Sequence, residues 1–217
     1  MYRLPVHYDL IRQAAETIPG PESWSLDADL NRAVGWAVAL AAARSTDPGP
    51  ISVPELFAAL LTESSDAIAF ADMVASFMLD AGTLDEPSWS RVHRKLRLPS
   101  ISAPSADISR SYRFDAAAEQ VLEKAITMRS ERNDNLTCPL VFLAMFKPDV
   151  AGDSAAVDPL LRDLGVDGEK LLEKVQQSFE SHHHPAAPRV REIIELRRTY
   201  RAWDRPHVDN DFVEGAI

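Results

Sequence analysis

Apolar residues recur every three to four positions along most of this 217-residue chain, a spacing that predicts helices almost from end to end. Val6, Leu10, Ala14 and Ile18 lie four apart with Ile11 and Ala15 beside them, the stripe of an N-terminal helix that Pro19-Gly20-Pro21 closes. An alanine-rich helix follows to about Arg44. Its face of Ala33, Ala37, Leu40 and Ala41 is narrow enough for close approach, and Asp27 or Asp29 can accept from the free amides of its first turn. Thr46-Asp47-Pro48-Gly49-Pro50 is a loop by composition. Ser52 and Thr137 then stand at N-cap positions. Pro54 and Pro139 fall in the first turn, where a missing N–H has no intrahelical partner to lose, and Leu56 to Leu61 and Val141 to Phe146 carry each helix on.

Further helices are expected over Phe70 to Leu79, around Trp89, Val92 and Leu96, and from the capping Asp115 through Ala118, Val121, Leu122, Ala125 and Met128. Two more run over Asp158 to Leu164, ended by Gly165, and through Leu171, Leu172, Val175 and Phe179. No segment alternates apolar and polar side chains as a half-buried strand does, so the fold class is all-α.

The helices repeat. Arg44-Ser45 and Arg129-Ser130 stand 85 residues apart, and at that same offset the ten residues from Ile51 to Leu60 lie over Leu136 to Met145 without a gap. Proline falls on proline and phenylalanine on phenylalanine, as in two copies of one helical unit that pack as a pseudo-two-fold pair. The expected organisation is an N-terminal helical extension (1–25), a first unit (26–98), a linker (99–112), a second unit (113–180), a proline- and histidine-rich hinge (181–188) and a C-terminal segment (189–217).

That last segment begins as an amphipathic helix with its own seam, Val190, Ile193, Leu196, Tyr200 and Trp203 at helical spacing and, as far as Arg205, six arginines on the other faces against three carboxylates, before Asp209, Asp211 and Glu214 make an acidic tail. Such a seam either folds back on the chain's own bundle or docks a partner, a second copy included, because helix-in-groove recognition uses the same anchor spacing. Val190, Ile193, Tyr200 and Trp203 are therefore candidate contact residues. The basic run Arg91 to Arg97 reads as the solvated face of a short helix anchored by Trp89, Val92 and Leu96.

A hydrophobic content of 46% supports a packed core, and long apolar runs such as Ala37 to Ala43 are far below the roughly 20 residues of a membrane-spanning helix. The start of the chain lacks a signal-peptide pattern, so a cytoplasmic location is expected. The net charge of −10 opposes non-specific binding to nucleic acid or anionic lipid, which disfavours a helical DNA-binding regulator. The single cysteine, Cys138, matches Val53 at the repeat offset and reads as a small buried hydrophobe. His182, His183 and His184 are consecutive and do not preorganise a metal site, and His7, His93 and His207 are isolated from any nucleophile. No catalytic residue, cofactor or metal is expected.

The tandem units, each with an alanine-rich helix ending near Arg-Ser, a loop, Ile51-Ser52-Val53-Pro54-Glu55-Leu56-Phe57-Ala58-Ala59-Leu60 or its counterpart, and a closing turn like Leu164-Gly165-Val166-Asp167, resemble the N-terminal repeat domain of Clp ATPases over about residues 27–179. The resemblance implies a helical bundle that receives substrates and adaptors for an unfoldase. The unfoldase itself is not here, since no GxxxxGK[ST] phosphate loop occurs. It thus implies a non-catalytic adaptor or regulator whose partners are proteins or peptides, among them a Clp unfoldase, its protease or its substrates. A sequestering protein for small peptide ligands of such unfoldases is the alternative. The groove implied between the units is flanked by Phe114 and by the surfaces near Glu55 and Leu140. Some relatives bind phosphorylated arginine through a glutamate in a Thr-Glu-His-Ile-Leu stretch of each repeat. Pro54 and Pro139 occupy both glutamate positions here, so phosphoarginine binding is expected to be weak or absent.

Overall fold

The computed structural model describes residues 25–44, 50–62, 70–78, 88–101, 114–129, 135–148 and 155–203. The expected N-terminal helix over Val6 to Ile18, most of the linker and the acidic C-terminus lie outside these residues, as do His7 and His207. The fold is all-α. Among the described residues nine helices follow one another: α1 (Ala28–Arg44), α2 (Val53–Thr62), α3 (Phe70–Phe77), α4 (Ser88–Lys95), α5 (Ala116–Met128), α6 (Cys138–Phe146), α7 (Asp158–Leu164), α8 (Gly168–Ser181) and α9 (Ala187–Trp203).

Local chemistry sets the helix starts. Asp27 caps α1, accepting from the Leu30 N–H at 2.7 Å, while Asp29 pairs with Arg32 at the surface. Asp115 accepts from Ala118 N–H at 2.8 Å to begin α5, and Asp167 accepts from Glu169 and Lys170 to begin α8. Thr137 occupies the N-cap of α6 without a side-chain hydrogen bond. Three helices end alike, in a left-handed residue that lets two amides fold back onto the last turn: Arg97 (φ 56°) after α4, Gly165 (φ 72°) after α7 and His183 (φ 52°) after α8.

One feature departs from the strand-free expectation. Ser25–Leu26 (β1) pairs in parallel with Asn135–Leu136 (β2), and Ile51 forms a parallel bridge with Phe114. The contacts are reciprocal. The Asp27 N–H donates to Leu136 O at 3.0 Å, and the Asp115 N–H donates to Ile51 O at 2.9 Å. Each residue preceding an aspartate cap thus meets the residue preceding Ser52 or Thr137 in the other half. Pairs only two residues long leave no alternation for a sequence to display.

Both halves contribute to one continuous apolar core. At its centre Phe142 of α6 stacks on Phe70 of α3 with centroids 4.3 Å apart and rings 3° from parallel, flanked by Phe57, Phe146 and, across Phe70, Phe179. Lys174 of α8 ties the halves at the surface, donating to Ser76 Oγ at 2.7 Å and lying over the Phe77 ring. Cys138 is buried, as its match to Val53 implies. No helix among the described residues is long and apolar enough to cross a membrane.

The proline-rich segment after α8 is a hydrogen-bonded corner, not the open hinge its composition suggests. His184 N–H donates to Phe179 O at 2.8 Å, its ring lies 4.1 Å from the Phe179 ring, and its Nδ1 accepts from Ala186 N–H. This corner turns α9 back onto α8 and α6. The buried stripe of α9 is Val190, Ile193, Ile194 and Arg197, rotated from the predicted seam so that Leu196 and Tyr200 are only half-buried. Arg197 can hold a core position because its Nη1 donates to Phe146 O at 3.0 Å and its Nη2 to Asp158 Oδ1 at 2.6 Å.

Candidate functional site

The structure places three of the predicted contact residues in the interior. Glu55 is 1% exposed, Phe114 4% and Leu140 8%, so none of them lines a groove between the halves. The reason is local in each case. Glu55 lies in the first turn of α2, and its Oε2 accepts from the Ser52 N–H at 2.9 Å and from the Ser52 hydroxyl, while its Oε1 takes Arg44 Nη1 at 2.6 Å. This is the glutamate half of a Ser-x-x-Glu start, with the Ser52 hydroxyl donating to the carboxylate and an arginine neutralising it. Phe114 is held against Ile51 by the bridge, and Leu140 joins the core through α6. Val190 and Ile193 are likewise covered by the chain's own bundle. Tyr200 is half-buried, and the Trp203 side chain lies outside the described residues.

What the molecule does present is a cleft of about 700 Å³ where α2, α4 and α7 meet, lined by Pro54, Leu96 and Leu160 and by the charged Arg94, Lys95, Arg97 and Asp163. The volume falls within the range of ligand sites. Its geometry follows from how α4 is seated. Val92 and His93 are buried against α2, and Trp89 meets the His93 ring edge-on at 5.4 Å. With those residues turned inward, Arg94 and Lys95 face outward from the last turn, where cations also suit the helix C-terminus. The chain then reverses through left-handed Arg97, whose side chain joins the same cleft.

His93 fixes this arrangement. Thr62 Oγ1 donates to Ala58 O at 2.9 Å and so offers a lone pair to His93 Nε2, 3.3 Å away; Ala58 O itself lies 3.5 Å from Nε2. Both contacts require the proton on Nε2. Burial pushes the imidazole pKa below its ordinary value, outweighing the hydrogen bond to Ala58 O, which acts upward. His93 is thus a neutral positioning group.

Among the described residues Lys95 and Arg97 form no ion pair, whereas three arginines of α9 are matched: Arg191 with Glu180, Arg198 with Glu169 and Glu173, Arg189 with Glu192. Sequence reasoning read the run Arg91 to Arg97 as a solvated face. It missed the cleft because Leu160 and Asp163 come from the other half of the chain. Among the described residues no group of three or more His, Cys, Asp or Glu side chains is placed to hold a metal ion. His182 instead uses its Nδ1 on Ser178 O at the end of α8. No protein-family model matches the chain, and no curated protein or solved structure matches it either.

Proposed function

We propose that the chain is a non-catalytic docking module of the Clp N-terminal type, two helical units in a pseudo-two-fold arrangement, that binds protein or peptide as an adaptor or regulator of a Clp protease system. The observation that carries the reading is the reciprocal pairing of the two halves. Leu26 lies beside Leu136 and Ile51 beside Phe114, and the two aspartate caps that follow donate their amides across the same junctions. Two copies of one unit exchanging equivalent edges would produce this pattern, which fits the 85-residue offset between Arg44 and Arg129. The sequence Leu164-Gly165-Val166-Asp167, which carried part of the resemblance, has a matching role as the left-handed turn and cap between α7 and α8.

The test is reconstitution. The purified chain is mixed with a Clp unfoldase and its peptidase, co-elution is followed by size-exclusion chromatography, and degradation of a tagged substrate is timed with and without the chain. Co-elution with a changed degradation rate is expected. Separate elution with an unchanged rate overturns the reading.

A further inference from the structure

We propose that the cleft between α2, α4 and α7 is the ligand site of this module, and that it takes an acidic peptide segment in which carboxylates flank an apolar side chain. The inference rests on the docking reading and adds to it the place and chemistry of recognition.

Three features of the lining define the ligand. Lys95 and Arg97 supply two cations against the single carboxylate of Asp163 in the lining, a local excess of positive charge in a chain of net charge −10. Lys95 and Arg97 are exposed and form no ion pair among the described residues, although 33 acidic residues are available in the chain to neutralise them. Charge complementarity therefore favours a ligand that brings anions. Leu96 and Leu160 supply apolar ground among these charges, so the ligand also carries an apolar group. Asp163 decides between a simple anion and a peptide. Its carboxylate repels a phosphate, which has little to donate, but accepts readily from a peptide N–H. Anion, apolar group and N–H donor together describe a peptide.

Arg97 gives a further sign of selection for the side chain. It holds the left-handed position that glycine fills after α7, a conformation that strains a residue with a Cβ. Glycine would close the helix without strain but would bring no charge to the cleft. His93, buried directly behind Arg94, fixes the helix from which the cations project.

The experiment is fluorescence anisotropy on the full chain, using a dye-labelled nine-residue peptide of Asp and Glu around a central Phe. The same peptide with Asn and Gln in place of the acids is the control. Saturable binding of the acidic peptide only is expected, weakened more than about tenfold by Lys95→Glu with Arg97→Glu, because like charges then face each other. Arg97→Gly suits the left-handed backbone and is expected to weaken binding several-fold while the thermal midpoint, read by circular dichroism, does not fall. It keeps the test decisive if the double reversal unfolds. Equal binding of the amide peptide, unchanged affinity in both variants, or displacement of the peptide by inorganic phosphate alone would each overturn the assignment. If the acidic peptide fails to bind while the chain still co-elutes with a Clp unfoldase, only the cleft assignment falls. If it binds as expected without co-elution, the cleft stands and the Clp reading falls.

Discussion

The helices α2 and α6 begin with matching stretches, Ser52-Val53-Pro54-Glu55 and Thr137-Cys138-Pro139-Leu140, yet their ends are secured in opposite ways. In the first half the charge network sits at the start of the helix, where Glu55 caps Ser52 and takes Arg44 from the preceding helix. In the second half the start has no side-chain cap, Leu140 is simply core, and the network lies at the far end, where Arg197 reaches in from α9 to Phe146 O. Two helices with matching first turns are thus secured one by a local polar lock and the other by a remote one. The first lock lies within its own half, whereas the second depends on the tail.

That contrast can be broken from either side. Removing the remote lock should cost most. Arg197→Ala strips Phe146 O and Asp158 of their buried donor and deletes an apolar stem, for an expected loss of about 3 kcal/mol in urea unfolding. Glu55→Ala should cost about 2 kcal/mol through the lost cap and its charged hydrogen bonds. Glu55→Leu, which imitates the second half, should recover part of that loss by filling the volume; a larger loss than for alanine would show that the polar lock has no apolar substitute. Smaller effects attend the helix ends. Gly165→Ala places a Cβ at φ 72° and should cost about 1 kcal/mol, whereas Arg97→Gly relieves the equivalent strain and should be stabilising by about 0.5 kcal/mol.

Acid should distinguish the halves most gently. His93, in the first half, has its pKa held below the ordinary 6.5 by burial, so the unfolded chain takes up the proton first as pH falls. Stability is full above about pH 6.5 and declines below it, toward the lowered folded value. Chemical unfolding from pH 7.5 to 5 should show that decline, and His93→Gln should flatten it over the upper part of the range.

Features legible in the sequence were those set by neighbours in the chain. Asp115 and Gly165 were readable as cap and stop because a cap answers to residues within one turn, and the end of Asp158 to Leu164 was marked by such a signal. The role of Glu55 was also available in the Ser-x-x-Glu spacing. It was obscured by reading the repeat as a surface, where a lone carboxylate looks like a ligand contact. Arg197 could not be found this way. Its partners lie 51 and 39 residues back, and an arginine at a seam position counts as polar in any hydrophobic pattern. The cleft was illegible for the same reason, since the basic run is local but Leu160 and Asp163 arrive only through folding.

The reach of Arg197 bears also on how the molecule could be divided. One guanidinium holds the last residue of α6 and the first residue of α7, so the connection between those helices is bridged by a contact that does not pass through the backbone. A chain severed between residues 149 and 154 would leave two fragments with complementary faces. The shorter would carry α7, α8 and α9 with its own Arg197–Asp158 pair already in place, and the longer would offer the Phe146 carbonyl as the receptor for it.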